Sequence, residues 1–133
     1  MAFNQWLPNS TPTQVVTPGR LLLFRYDAKY AAKLKFYDKN PLCYVVAKQG
    51  NAFWGVNLHY TPVGNRMAYM RYLDQGDDPA TLTGYHKYLY TYVRSGLLDI
   101  PMSDWERAFQ LPAQEFVREL GGVDVSVNIG RYL

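Results

Sequence analysis

Leu42–Lys48 (LCYVVAK), the turn Gln49-Gly50-Asn51 and Ala52–Tyr60 (AFWGVNLHY) decide how the rest of the chain is read. Two β-branched and aromatic runs joined by a short Gly/Asn turn predict a β-hairpin, because Gly and Asn tolerate the backbone angles a tight reversal needs. Upstream, Pro18-Gly19 predicts a turn and Arg20–Tyr26 (RLLLFRY) a buried strand. Residues 27–40 lie between strand and hairpin as a long basic excursion ending at Asn40-Pro41. A strand, a long loop and a hairpin open a small SH3-like β-barrel. Such a barrel takes about five strands, so the remainder is expected from residues 97–111 or from the tail.

Beyond Pro62 the periodicity changes. Asn65–Asp74 sets Met67, Met70, Tyr72 and Leu73 at helical spacings, and Thr81–Ser95 does the same with Leu82, Tyr85, Leu89, Tyr92 and Val93. Ser103-Asp104-Trp105-Glu106 matches a capping box, predicting a short helix there. Pro112 predicts another over Ala113–Leu120, closed by Gly121-Gly122, and Val123–Ile129 alternates apolar and polar as a strand does. Residues 1–19 hold Pro8, Pro12 and Pro18, so they read as an extended arm and not a helix. The expected fold is α+β, a small SH3-like β-barrel or sheet with several short helices in the C-terminal half. Residues 1–19 form an N-terminal arm, 20–122 one globular domain and 123–133 a C-terminal strand or arm.

The 133 residues suffice for one domain, and 48% hydrophobic with 16% aromatic content excludes an intrinsically disordered chain. The longest apolar run, Leu21–Phe24, is far below the roughly 20 residues of a membrane span. The start, MAFNQWLPNS, has no basic end and no apolar core of a signal peptide. A soluble intracellular protein with no membrane contact is expected. The single cysteine, Cys43, in an apolar strand, can form neither an internal disulfide nor a thiolate metal site, and its thiol is expected to be inert.

The net charge of +3 hides a split. Residues 1–73 carry nine Lys/Arg against Asp27 and Asp38, a net +7, and residues 74–133 carry five against nine carboxylates, a net −4. Such a split fits a nucleic-acid face, complementary docking surfaces in an assembly, or an ordinary solvated surface. An echo, Arg25-Tyr26-Asp27-Ala28-Lys29 and Phe36-Tyr37-Asp38-Lys39-Asn40, brackets the basic loop. Arg25, Lys29, Lys33, Lys35 and Lys39 are therefore candidate phosphate or partner contacts, with tyrosines placed to stack on bases. The alternative is structural: Asp closing turns and Tyr26 and Tyr37 burying their rings at the loop base.

In strand alternation Asn57 and His59 share one face and Leu58 and Tyr60 the other. A lone His59 makes a poor metal set, so a buried, hydrogen-bonded role at the strand-to-helix turn is expected, with no metal and no cofactor. Phosphate-binding, dinucleotide and serine-hydrolase glycine patterns are all missing from the sequence, so a non-enzyme is expected. Phe3, Trp6 and Leu7 in the proline-spaced arm, and Val123, Val125, Val127 and Ile129 in the tail, are candidate protein-interface residues, since exposed aromatics and strand edges seek partners.

Pro18-Gly19, Tyr26-Asp27-x-Lys29, Leu34-x-Phe36-Tyr37-Asp38-x-x-Pro41-Leu42, Gly55-x-Asn57-Leu58-His59-Tyr60 and Arg66, then Trp105-Glu106-x-Ala108-x-x-Leu111-Pro112-x-x-x-Phe116, form a pattern over residues 18–117. It resembles one in small proteins encoded by tailed bacteriophages. The resemblance implies a virion-associated or DNA-end-associated role. The first expectation is a non-catalytic structural or assembly protein of the neck, tail or baseplate, an oligomer with other virion proteins, located in the virion. The alternative is a DNA- or RNA-binding module using residues 25–39. A third reading is an SH3-like-barrel endoribonuclease, for which Arg25 or Arg66 would supply the catalytic cation.

Overall fold

The computed structural model describes residues 3–28, 34–76 and 78–129. Among these residues nine strands and three α-helices form an α+β fold. In chain order they are α1 (Phe3–Trp6), β1 (Thr11–Thr13), β2 (Leu21–Leu23), β3 (Tyr37–Asp38), β4 (Leu42–Gln49) and β5 (Ala52–Asn57). Helix α2 (Val63–Asp74), β6 (Tyr85–Leu89), β7 (Leu97–Ile100), α3 (Trp105–Gln110), β8 (Phe116–Leu120) and β9 (Val123–Ser126) follow. One antiparallel sheet runs β1-β7-β2-β4-β5-β6 and a second runs β3-β8-β9. Both orders are open, so the expected barrel closure does not occur.

The predicted hairpin is β4–β5, with Lys48 opposite Phe53 and Gln49 opposite Ala52. Gly55 is required within it: a Cβ there would strike the Cys43 sulfur and stand 2.6 Å from the Tyr44 carbonyl oxygen. β2 is buried on both faces, as its unbroken Leu-Leu-Leu demands. Leu21 and Leu23 pack with Leu42, Tyr44 and Val56 beneath α2 and α3, which add Met70, Leu73, Trp105 and Phe109. Leu22 turns to the other face with Cys43, Val45, Phe53 and Tyr88. Each such fully buried Leu contributes about 1.5–3 kcal/mol.

Two predicted helices are strands. Residues 85–89 pair along β5, setting Tyr88 against Phe53 with rings stacked at 5.3 Å. Tyr-His-Lys-Tyr-Leu suits a pleated, half-buried surface, and the free edge of β5 outweighs the helical spacing of its apolar residues. Residues 116–120 form β8, which pairs with β3 on one side and β9 on the other. Gly121-Gly122, read as a helix stop, is the two-residue turn of that hairpin. Both glycines have positive φ, 58° and 84°, as a type I′ turn requires.

The N-terminal segment folds back on its own domain. It begins with a helical turn, α1, contrary to the extended reading, and β1 then adds to the sheet edge beside β7. Pro12 is tolerated there because an edge strand needs hydrogen bonds on one side only. Leu7 is wholly buried in the core. Asp104, expected inside a capping box, caps nothing; its carboxylate accepts bonds from the Asn9 backbone N–H at 2.8 Å and the Ser10 hydroxyl at 2.9 Å. Among the described residues no helix is long and apolar enough to cross a membrane.

Candidate nucleic-acid interface

Three segments converge on Asp38. β3 carries it, β5 ends beside it at Asn57, and the chain entering β8 passes it at Glu115. The Asp38 Oδ2 atom accepts from Asn57 Nδ2 at 2.9 Å and from His59 Nδ1 at 2.6 Å, while Oδ1 accepts from the backbone N–H groups of Asn40 and Glu115, both at 3.0 Å. Burial alone would raise this carboxyl, but the hydrogen bonds and charge interaction with His59, then Asn57 and the Glu115 amide, outweigh it and hold Asp38 below its ordinary range. An ionised carboxylate only accepts, so the Nδ1 of His59 carries the proton. Asn57 Oδ1 accepts in turn from the backbone N–H groups of His59 and Leu42, at 3.0 and 3.2 Å. Leu58–Tyr60 is a 3₁₀ turn capped by that amide, so strand alternation stops at Asn57.

Beside this knot lies a cavity of about 540 Å³ walled largely by aromatic rings, among them Tyr26, Phe36, Tyr60 and Tyr88. Tyr60 packs edge-on to Phe116 at 5.0 Å and near-parallel to Phe36 at 6.0 Å, and His86 tilts against it at 4.9 Å. The Nε2 atom of His86 is buried with no partner. Burial pushes the His86 ring below its ordinary 6.5, against the opposing charge of Asp38, so it is neutral at pH 7. Lys87 lines the same cavity, with its ammonium 5.5 Å from the Trp54 ring centre. Gly84 holds this corner together: its carbonyl accepts from the Asn57 N–H at 2.9 Å, and a Cβ there would meet the Asn57 carbonyl at 2.7 Å.

Three cations of the N-terminal half pair with carboxylates of the C-terminal half. Arg25 pairs with Glu115 at 3.0 Å, Lys39 with Asp124 at 2.5 Å and Arg20 with Asp99 at 2.9 Å. Asp27 of the echo pairs with Arg94 at 3.3 Å and Lys39 at 3.8 Å. Lys35 is exposed, while Lys29 and Lys33 lie outside the described residues. Tyr26 and Tyr37 are buried at the loop base, with the Tyr26 hydroxyl accepting from the Leu89 N–H at 3.1 Å.

Arg66, Cys43 and His59 are closed off from solvent. Arg66 is buried, donating to the carbonyls of Thr61 and Phe109 and to Gln114 Oε1, so it is not available as the cation of a ribonuclease, while Arg25 is half-exposed and paired with Glu115. Burial pushes the Cys43 thiol far up, leaving it without thiolate character. His59 is sealed from solvent. Among the described residues no three His, Cys, Asp or Glu gather closely enough to hold a metal ion.

The interface candidates divide. Leu7 and Ile129 are buried within their own chain, Ile129 against Tyr60 and Phe116, and Val127 is half-buried in the same cluster. Trp6, Val123 and Val125 are exposed, and Phe3 lies in the α1 turn. Reading residues 81–95 as a helix hid His86 and Tyr88 from the site. The echo around Asp38 and the pair Asn57/His59 were the sequence signals that pointed toward it.

Residues 3–83 match the model of a protein family described as phage T4 terminal DNA protecting protein. No curated protein and no solved structure matches the chain.

Proposed function

The chain belongs to the phage T4 terminal DNA protecting protein family, and we propose that it binds the ends of linear phage DNA and shields them by occupying them, without catalysis. The family match carries this reading, since it spans residues 25–39 and the Asp38–Asn57–His59 knot. The geometry supports it further. Asp38, Asn57, His59 and Arg66 are buried and held by hydrogen bonds, whereas aromatic rings wall a cavity of the kind on which bases stack. This favours the DNA-binding alternative over a neck, tail or baseplate subunit.

The test compares a short linear duplex with the same duplex closed by hairpin loops at both ends. Tighter binding of the open duplex, falling steeply with salt, and slower digestion of its ends by an exonuclease are expected. Equal affinity for both would defeat the end-binding reading. A second, compatible contact is suggested by Leu120, Val123 and Val125, which stand exposed on the β8–β9 hairpin. Such an apolar cluster suits another virion protein. Val123→Asp with Val125→Asp should then reduce incorporation into particles while leaving DNA binding intact, and full incorporation would remove this contact.

A further inference from the structure

Resting on that reading, we propose that the aromatic cavity beside Asp38 takes one unpaired nucleobase from the DNA terminus. Its volume of about 540 Å³ lies within the roughly 300–1,000 Å³ of small-molecule sites. It is far too small for a duplex and ample for a single nucleotide. Phe36, Tyr60 and Tyr88 on its wall offer ring faces and edges of the kind that receive bases.

Charge decides which part of the nucleotide enters. The buried anion on the cavity wall, Asp38, has its four donors already in place, so it has no hydrogen-bond need for a ligand but still repels phosphate. A neutral ring therefore suits the interior, and the phosphate stays outside it. Inside, Asn57 has committed both ends of its amide, and the Tyr26 hydroxyl is bonded to Leu89. The His86 Nε2 atom is the buried side-chain polar atom of the described lining that lacks a partner. A neutral imidazole nitrogen can serve a base edge as donor or acceptor, depending on its tautomer. One adaptable contact with several rings gives recognition by stacking and weak preference among the four bases.

A base must leave its pair before it can enter, so a terminus carrying one unpaired nucleotide avoids the unpairing cost of a blunt end. The full chain should bind a duplex with a single-nucleotide overhang at least about fivefold more tightly than the blunt duplex, the lower end of what one stacked base contributes. With 5-iododeoxyuridine as the overhanging nucleotide, irradiation should cross-link it to Phe36, Tyr60 or Tyr88, as mapped by peptide mass spectrometry. His86→Leu, which keeps the apolar bulk, should reduce the overhang preference while leaving blunt-end binding within about twofold. If open ends still bind better than closed ones, but overhang and blunt ends bind equally and no cross-link forms at these residues, the cavity inference fails and end binding stands. If open and closed duplexes bind equally, the end-binding reading itself fails and takes this inference with it.

Discussion

His59 Nδ1 stands 2.6 Å from Asp38 Oδ2 with both side chains 1% exposed, and this bond ties the six-stranded sheet to the three-stranded one. Asp38 belongs to β3, and His59 to the turn that ends β5. Among the described residues the second sheet pairs with the first through no strand, and the Asp38 knot and the Tyr60–Phe116–Ile129 cluster join the two.

Asp38→Ala leaves two buried side-chain donors and two part-buried backbone donors without an acceptor and should lower stability by about 2–6 kcal/mol, at roughly 1–3 kcal/mol for each fully buried donor left unsatisfied. Urea unfolding followed by circular dichroism measures it, and a loss under about 1 kcal/mol would show that water replaces the carboxylate. The pH dependence has a definite sign. Asp38 is depressed in the folded state, so its contribution is complete above the ordinary carboxyl value of 3.8 and is lost as pH falls through the lower folded value. Asp38→Asn should remove this part of the acid-unfolding limb.

His86 acts in a different pH window. Its folded value is depressed below 6.5, so on acidification the unfolded chain takes up a proton first and stability falls as pH drops below 6.5. Thermal melts at steps from pH 8 to pH 5 should show this decline, and His86→Leu should flatten it. An identical decline in the variant would assign it to another group.

Gly84 has φ +93° and no room for a side chain, so Gly84→Ala should cost more than the roughly 1–2 kcal/mol of left-handed strain alone. Gly121→Ala, at φ +58° in open space, carries strain without collision and should cost less. Equal urea midpoints for the two variants would mean that the Asn57 carbonyl yields easily.

If Arg25 and Lys39 meet DNA phosphates, Glu115 and Asp124 compete for them. Glu115→Gln and Asp124→Asn should therefore tighten DNA binding by a few fold at low salt and steepen its salt dependence. Fluorescence anisotropy with a labelled duplex reads both, and unchanged affinity would place the phosphates elsewhere on the surface.

The hairpin, the buried Leu21–Leu23 strand, α2 and the terminal strand were legible because each announces itself locally, by alternation, by an apolar run or by helical spacing. Residues 85–89 and 116–120 were not. Their apolar positions fit a helical stripe as well as a strand, and the deciding interactions are pairings with β5, β3 and β9 far away in sequence. The site was half legible. Asp38, Asn57 and His59 stood out as polar residues in apolar company, but their convergence depends on Glu115 and Asn40 supplying the remaining donors. The charge split was visible, whereas its internal pairing was not, because Arg25 finds Glu115 only once β8 is a strand.

β2 and β4 send alternate side chains into both cores, Leu21 and Leu23 to one and Leu22 to the other. Neither core can open without stripping the wall of its neighbour, so the two should be lost in one cooperative event. Amide hydrogens of β2 and β4 would then exchange only through global unfolding. Those of β9, which is exposed along its whole length, would exchange through local fraying. The centre would thus open as one unit, and the exposed margin strand on its own.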